Sequence, residues 1–417
     1  MRVLILGGYG FIGAEIARAL IRGGHEVTGL GRSASTGKRL VPGAKWIGAD
    51  MATLDAAENW APILSGIDAV VNAAGALQDG PRDNLAAVHH RSVAALVEAA
   101  TKANVNRLVQ ISAVGAEVSA LTPFMSTKAL GDAAVKTSAL DWIILRPGLV
   151  IGRDAYGGTA LLRVLAGFPL ITPLVHADAR VQTVSIDDVT TAVVAALPGE
   201  IPVRRVYDLV EDEPHSLRDI VCGFRRQLGF TPARLELDLP QWASTIAGAL
   251  ADFAGLLGWR SALRSTALKV MKENVLGDPA PWRRVSGKSL RSFEEMLSLI
   301  PATAQERLYA RTQLALPVMI AALGVFWIVS GAIGLAAIRK AAPHLYGLAG
   351  VGAAKTLVIA GSFLDMAIGA GLLVRKTSRT AALASAIVAA LYLFAGTLTE
   401  PALWLDPFGA LAKIIPI

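Results

Sequence analysis

The sequence predicts an α/β fold: a doubly wound parallel sheet with a small second lobe, followed by an all-α four-helix transmembrane module. Three observations predict it. Short apolar runs alternate with segments of helical period through the first half of the chain. A glycine turn joins the first of these runs to the first helix. Beyond Leu314 the charges thin out and long apolar stretches take over.

The bulk numbers agree. Of 417 residues, 53% are hydrophobic and only 18% charged, against about 25% charged in an average soluble domain. Mean hydropathy is +0.49. The net charge of +7 has no basic helix or aromatic-basic stripe behind it, which argues against nucleic-acid binding. Lys and Arg at the cytoplasmic ends of membrane helices account for it more simply. A single cysteine, Cys222, excludes an intramolecular disulfide and a CxxC pair. The opening "MRVLILGGYGFIG" runs straight into glycines and reads as a strand, not a signal peptide.

The first strand is Val3 to Leu6, continuously apolar as a strand buried on both faces must be. Gly7, Gly10 and Gly13 follow, and Ile12, Ile16, Ala19 and Leu20 then recur at helical period. A strand, a glycine turn and a helix in that order set backbone N–H groups at a helix N-terminus, where a pyrophosphate binds. Tyr9, Phe11 and Ile12 fill the same turn and count with the cofactor-binding residues. The alternative is a tight turn without a ligand. The second strand, "HEVTGL", leads to Arg32, with Ser33 and Lys38 close by. A cation there, in place of an acid, suits a 2′-phosphate and favours NADP(H) over NAD(H). The alternative is a solvated surface arginine.

Alternation continues. "KWIGAD" is a third strand ending at Asp50, whose side chain is placed to reach an adenine amine. "IDAVVNAAG" is a fourth, ending in Asn72, Ala73, Ala74 and Gly75, small enough for the backbone to approach a ribose. "NLAAVHHRSVAALVEAATKA" is a long helix, and "NRLVQISAVGA" a fifth strand ending at Ser112. "PFMSTKALGDAA" is a helix carrying Phe124 and Lys128, and "ALDWIILRPGLVIG" a sixth strand that includes Pro147.

These stretches, in this order, resemble the extended and atypical short-chain dehydrogenase/reductases. The glycine turn, Asp50, Asn72 to Gly75, Ser112, Lys128 and "RPGLVIG" from Arg146 to Gly152 carry the resemblance. "VQTVSIDDVTTAVVAAL" from Val181, with its Asp188-Val189 pair, and "VYDLVEDEPHSLRDIV" from Val206 extend it to about Ile300. Within the family, the branch holding the accessory NADPH-binding subunit of respiratory complex I is the most similar. The resemblance implies a Rossmann-type domain that binds NAD(P)(H), with Ser112 and Lys128 in the catalytic positions. In the family a Tyr four residues before the Lys gives a proton to the oxygen that becomes negative, the Lys holds the nicotinamide ribose, and the Ser hydrogen-bonds the reacting carbonyl.

Phe124 stands at the Tyr position and cannot donate. Losing a general acid costs roughly 10²–10⁴-fold in rate. Three readings follow. The domain binds NADP(H) without catalysis, to fold or to sense redox state. Or its acceptor needs little acid, as a quinone does, because the product is phenolate-like with a pKa of about 10. Or another acid replaces Tyr, the candidates being Tyr156, His89, His90 and Ser126. His89 and His90 are adjacent and point apart, so they make no metal pair, and no metal site is expected.

The expected domains are 1–233, the nucleotide-binding domain with its substrate lobe; 234–312, a helical substrate-lobe and linker region; and 313–417, the membrane module. Pro240 to Trp259, about the length of a membrane span, reads as a helix that covers the lobe or lies in a membrane interface, the alternative being a true span. Ser289 or Ser292 reads as a helix cap, with Glu295 completing a capping box for the second. Four apolar runs follow: Leu314 to Ile338, Thr356 to Val374, Thr380 to Thr397, and a weaker Ala402 to Ile417. Their number and size resemble the DoxX-like family. Asp365 lies mid-span, with Lys355 before that span and Lys413 near the C-terminus. A carboxyl at that depth marks a cavity, a proton path or a structural partner. With the nucleotide domain cytoplasmic, "RKTSR" falls inside as positive charge prefers, and Arg339-Lys340 falls outside against the rule. The expectation is an inner-membrane protein whose partners are the lipid bilayer and a quinone or lipid-like substrate. The alternative is a non-catalytic structural, assembly or redox-sensing subunit of a membrane complex.

Overall fold

The computed structural model describes residues 1–80, 83–154, 157–259, 272, 274–346, 349–405 and 411–412. The chain divides into two compact units, Met1–Asp252 with Ser261–Ala310, and Phe253–Arg260 with Arg311–Ile417.

In the first unit, strands β1 (Arg2–Leu6), β2 (Glu26–Gly31), β3 (Lys45–Gly48), β4 (Ala69–Asn72), β5 (Arg107–Ile111) and β6 (Asp141–Pro147) join a seventh, Arg205–Leu209. The sheet runs seventh strand, β6, β5, β4, β1, β2, β3, with every pair parallel. The direction of winding reverses between β1 and β4. Helices α1 (Phe11–Arg22), α2 (Ala34–Leu40), α3 (Ala57–Leu64), α4 (Ser92–Lys102) and α5 (Pro123–Lys136) make the crossovers.

Both faces of β1 are buried, and its alternation divides the core. Val3 and Ile5 pack with Ile16, Leu20, Val189 and Trp282 on one side. Leu4 and Leu6 pack with Trp60, Leu96, Leu108 and Ile144 on the other. The sixth expected strand is two. The main sheet takes Asp141–Pro147, and Leu149–Ile151 leaves it to pair with Thr183–Ser185. The break falls at Gly148, whose N–H still bonds to Leu209 O at 3.0 Å.

The lobe has its own core of Leu162, Ile220, Phe224, Phe293 and Met296. Residues well beyond position 233 complete these cores. Trp282, on helix Ala280–Ser286, meets Tyr207 edge to face at 5.6 Å. Ser292 caps helix Phe293–Leu299, and Glu295 closes the capping box. Glu211 ties the lobe together. It is buried, and its carboxylate accepts from Thr183 N (2.8 Å), Thr183 Oγ1 (2.5 Å), Phe293 N (2.7 Å) and His215 Nε2 (3.1 Å).

The second unit holds the apolar helices. Ala304–Ala336 enters it at Arg311, and Val351–Leu373 and Ser378–Thr399 follow. All three are long and apolar enough to cross a membrane. Only 17%, 28% and 22% of their most apolar windows are buried inside the protein, so those side chains mostly face outward, as lipid requires. Asp365 is buried among them. Its Oδ1 accepts from Tyr392 Oη at 2.8 Å and its carboxylate also bonds to Ser330. The partners are thus hydroxyls, while Lys413 lies outside the described residues. Of the weak fourth run, Pro401–Leu405 forms a short 3₁₀ turn and most of the remainder lies outside the described residues. The described span count is three rather than four.

Candidate active site and nucleotide cradle

The winding reverses between β1 and β4, and an open α/β sheet binds ligands in the crevice beyond that point. At the end of β1 the chain packs tightly against the end of β4. Gly7 has φ +67°, and a Cβ there would stand 2.9 Å from Ala73 O and Ala74 Cα. A Cβ on Gly13 would drive into the Gly7 carbonyl oxygen. Gly10 N–H donates to that same oxygen at 2.8 Å. The N-terminus of α1 has no side-chain cap among the described residues, which leaves it suited to an anion. Tyr9 lies over the end of β2, where its hydroxyl accepts from Ser33 N at 3.2 Å. Phe11 and Ile12 open α1.

Around this cradle the other expected residues take definite partners. Arg32 pairs with Asp83 at 2.9 Å. Asp50 Oδ1 accepts from Ala52 N at 3.0 Å and caps the turn Met51–Thr53. Asn72 accepts from Ala74 N (3.1 Å) and donates to Gln110 Oε1 (2.8 Å), fixing the ends of β4 and β5. Pro147 ends β6. A Cβ on Gly75 would stand 3.7 Å from Lys128 Nζ, which brings the β4 end and α5 together.

Thr122 caps α5 and Pro123 occupies its first turn. Phe124, Lys128 and Asp132 then fall four residues apart on one face. Lys128 is buried. Its Nζ donates to Ile111 O at 3.2 Å and lies 5.7 Å from the Phe124 ring centre. Burial pulls its pKa down, against the opposing pull of Asp132. Ser112 Oγ donates to Asp132 Oδ2 at 2.8 Å, and Arg146 reaches the same oxygen at 3.1 Å. Asp132 Oδ1 is buried and has no hydrogen-bond partner among the described residues. Burial raises the Asp132 pKa, with Ser112, Arg146 and Lys128 opposing.

Asp132, Gln110 and Arg146 are the site residues that sequence reasoning missed as such. The four-residue spacing from Lys128 was the available signal for Asp132.

The replacement acids fare differently. His89 is buried in a π-helical turn, Ala87–Arg91, that precedes α4. Its Nε2 accepts from Ala76 N at 3.1 Å, which puts the ring proton on Nδ1, facing Thr127 Oγ1 at 2.9 Å. Burial, and then Lys128, lowers its pKa to about 3. A neutral, doubly bonded ring is a structural fixture and a poor acid. Ser126 donates weakly to Pro123 O at 3.4 Å. His90 is half-buried beside Asp55 and Glu58 in a separate crevice. Tyr156 lies outside the described residues.

His89 gives a pH prediction. Its folded pKa lies below the ordinary 6.5, so the unfolded chain takes up the proton first. Its contribution to stability is complete above about pH 6.5 and fades as pH falls toward about 3, amounting to a loss of about 2 kcal/mol near pH 5. Thermal unfolding from about pH 7.5 to 5 checks this against His89→Gln, which should show a flatter profile.

A crevice of about 480 Å³ lined by Glu15, Arg18, Arg22 and Met296 shares only Phe11 with the cradle and none of the Lys128 group.

Comparison with known proteins fits this geometry. Residues 7–197 match a family model described as NAD(P)H-binding. A 3-diazoavenalumate denitrifying reductase from Streptomyces is 31% identical over 296 residues, covering 62% of this chain and 88% of that protein. The chain belongs to the NAD(P)H-binding short-chain dehydrogenase/reductase family. A ceramide reductase from Caulobacter vibrioides is 24% identical over 254 residues, 60% of this chain and 77% of that one. The enzyme WbmG of Bordetella bronchiseptica, solved with NAD, has the same fold, with a TM-score of 0.54 at 20% identity over 72% of this chain and 92% of that one. Residues 324–417 match the DoxX-like family. The family member described here is therefore an NAD(P)-binding reductase/epimerase-like domain joined to a DoxX-like membrane domain.

Proposed function

We propose that this short-chain reductase works from the cytoplasmic face of the inner membrane, uses NADP(H), and reduces a lipid-soluble acceptor of the quinone or lipid type. One observation carries the reading. Phe124 fills the proton-donor position while Lys128 is kept, on a chain that also carries membrane-crossing helices. The names of two relatives, a reductase of ceramide and a denitrifying reductase, support a reductive role.

The cradle fits the cofactor. Gly7, Gly10 and Gly13 leave the room that side chains would fill. In this reading Gly7, Tyr9, Gly10, Phe11, Ile12 and Gly13 hold the pyrophosphate side, and Arg32 the 2′-phosphate. Asp50 faces the adenine, and Ala73, Ala74, Gly75, Lys128 and Pro147 border the nicotinamide ribose. The bound cofactor would supply a hydride. An ammonium at Lys128, beside the reacting region, favours an anionic product oxygen. Phe124 excludes water and gives no proton. An acceptor that leaves a phenolate-like anion, of pKa about 10, then suits the site better than one that leaves an alkoxide.

Arg32→Ala should weaken NADPH by about 1–3 kcal/mol and leave NADH little changed. Calorimetry that finds equal loss for both would remove Arg32 from the phosphate site.

Phe124→Tyr tests the acceptor. It should leave quinone reduction and NADPH affinity close to the parent. A variant that gains roughly 10²-fold or more on quinones would show that their reduction had needed the missing acid. The second reading, cofactor binding without catalysis, draws on Ser112 being held by Asp132. It predicts NADPH binding with no acceptor reduced by either protein.

A further inference from the structure

Helix Gln241–Leu256 is built inside out for a protein in water. Its large apolar side chains, Trp242, Ile246, Leu250, Phe253 and Leu256, recur at helical spacing and are 67%, 54%, 65%, 60% and 75% exposed. Its small ones, Ser244, Gly248 and Ala251, are the buried face. Its one charged residue is Asp252, which accepts from Gln78 Nε2 at 3.2 Å. A stripe of that size turned to water opposes the hydrophobic effect.

The far end of this helix says what covers the stripe. Residues Phe253–Arg260 belong to the same compact unit as the membrane helices. Leu257 O accepts from Arg375 N at 2.9 Å, and Trp259 Nε1 donates to Leu373 O at 2.7 Å. The Arg375 guanidinium stacks on the Trp259 ring at 5.2 Å. Leu373 ends the second span, and the turn to the third carries Arg375, Lys376 and Arg379, all exposed. The turn between two spans lies where the bilayer meets water, and cations and tryptophans gather at that level. The helix therefore ends pinned at the headgroup boundary.

We propose that helix Gln241–Leu256 is an in-plane membrane helix, its apolar stripe sunk among the acyl chains of the bilayer. The bilayer is thus met by a third element besides spans and loops: a surface helix whose apolar face lies among the acyl chains and whose neighbouring cations meet anionic headgroups. The assignment depends on the spans and is independent of the acceptor's identity.

Site-directed spin labelling of the full chain tests it. In a Cys222→Ser background, Trp242→Cys, Ile246→Cys and Leu250→Cys are labelled one at a time. Each is reconstituted into bilayers of phosphatidylethanolamine and phosphatidylglycerol. Phe363→Cys, on the exposed face of the second span, and Glu200→Cys, in an exposed loop, are the lipid and water references. The labels replace exposed side chains, and matching thermal unfolding with the parent verifies each fold. The expected result is a ratio of oxygen to water-soluble nickel collisions at 242, 246 and 250 several-fold above that at 200 and close to that at 363. A ratio equal to that at 200 would place the stripe in water and overturn the proposal. Low collision rates with both probes would overturn it too, since a second copy or another protein would then cover the stripe.

Discussion

Glu211→Ala lowers the stability of the nucleotide-binding unit by about 3–5 kcal/mol, the largest loss expected of any single substitution here. The reason is arithmetic on one carboxylate. Removing it orphans the buried N–H groups of Thr183 and Phe293 and strands the Thr183 hydroxyl and His215 Nε2. Each unsatisfied buried group costs about 1–3 kcal/mol, offset in part by the desolvation that the charge no longer needs. Helix Phe293–Leu299 loses its anchor at Phe293, and with it part of the lobe core that Phe293 and Met296 fill. In thermal unfolding the midpoint should fall by about 5–8 °C. Glu211→Gln keeps one acceptor oxygen and should lose about half as much. An alanine variant within about 1 kcal/mol of the parent would show that water replaces the carboxylate, and that Glu211 is no hub.

Lys128→Met weakens cofactor binding. The substitution keeps the length of the side chain and deletes its charge and its donors. If Lys128 holds the ribose, NADPH binding should weaken by about 1.5–3 kcal/mol, roughly 10- to 150-fold in Kd. Stability should change little, because Lys128 sits buried with its pKa already pulled down by desolvation. Lys128→Arg should not rescue binding, since a planar guanidinium fork does not reproduce the compact ammonium that donates to Ile111 O beside the Phe124 ring. Calorimetry on purified full-length protein measures both variants. Unchanged NADPH affinity in the methionine variant would take Lys128 out of the ribose site.

Much of the fold was legible because one kind of signal was strong throughout. Strands buried on both faces read as continuous apolar runs, and Val3 to Leu6 and Ala69 to Asn72 show it. The interlocking of Gly7 and Gly13 was legible because only glycine fits so close an approach. The split at Gly148 was not, because both halves of "WIILRPGLVI" are apolar and periodicity does not say which sheet a strand joins. Residues 234–300 were harder still. Trp282 and Phe293 enter cores assembled far earlier in the chain, and local pattern does not report partners so distant in sequence. In the site, sequence order named Ser112 and Lys128, but not that Asp132 accepts from both Ser112 and Arg146. That pairing is tertiary. The π-helical turn at His89 also escaped, since a single extra residue in a helix leaves the apolar pattern almost intact.

The measurement that bears most directly on the account is NADPH oxidation by the purified full chain in lipid bilayers, without oxygen, with a long-tailed quinone as acceptor. The absorbance of NADPH is followed, and quinol is counted against it. The expected result is loss of NADPH matched one-to-one by quinol, slower with NADH, and suppressed in Lys128→Met. NADPH that binds tightly yet is never oxidised, with quinones, aldehydes and lipid carbonyl compounds all tried, would contradict it and leave a protein that holds the cofactor without using it.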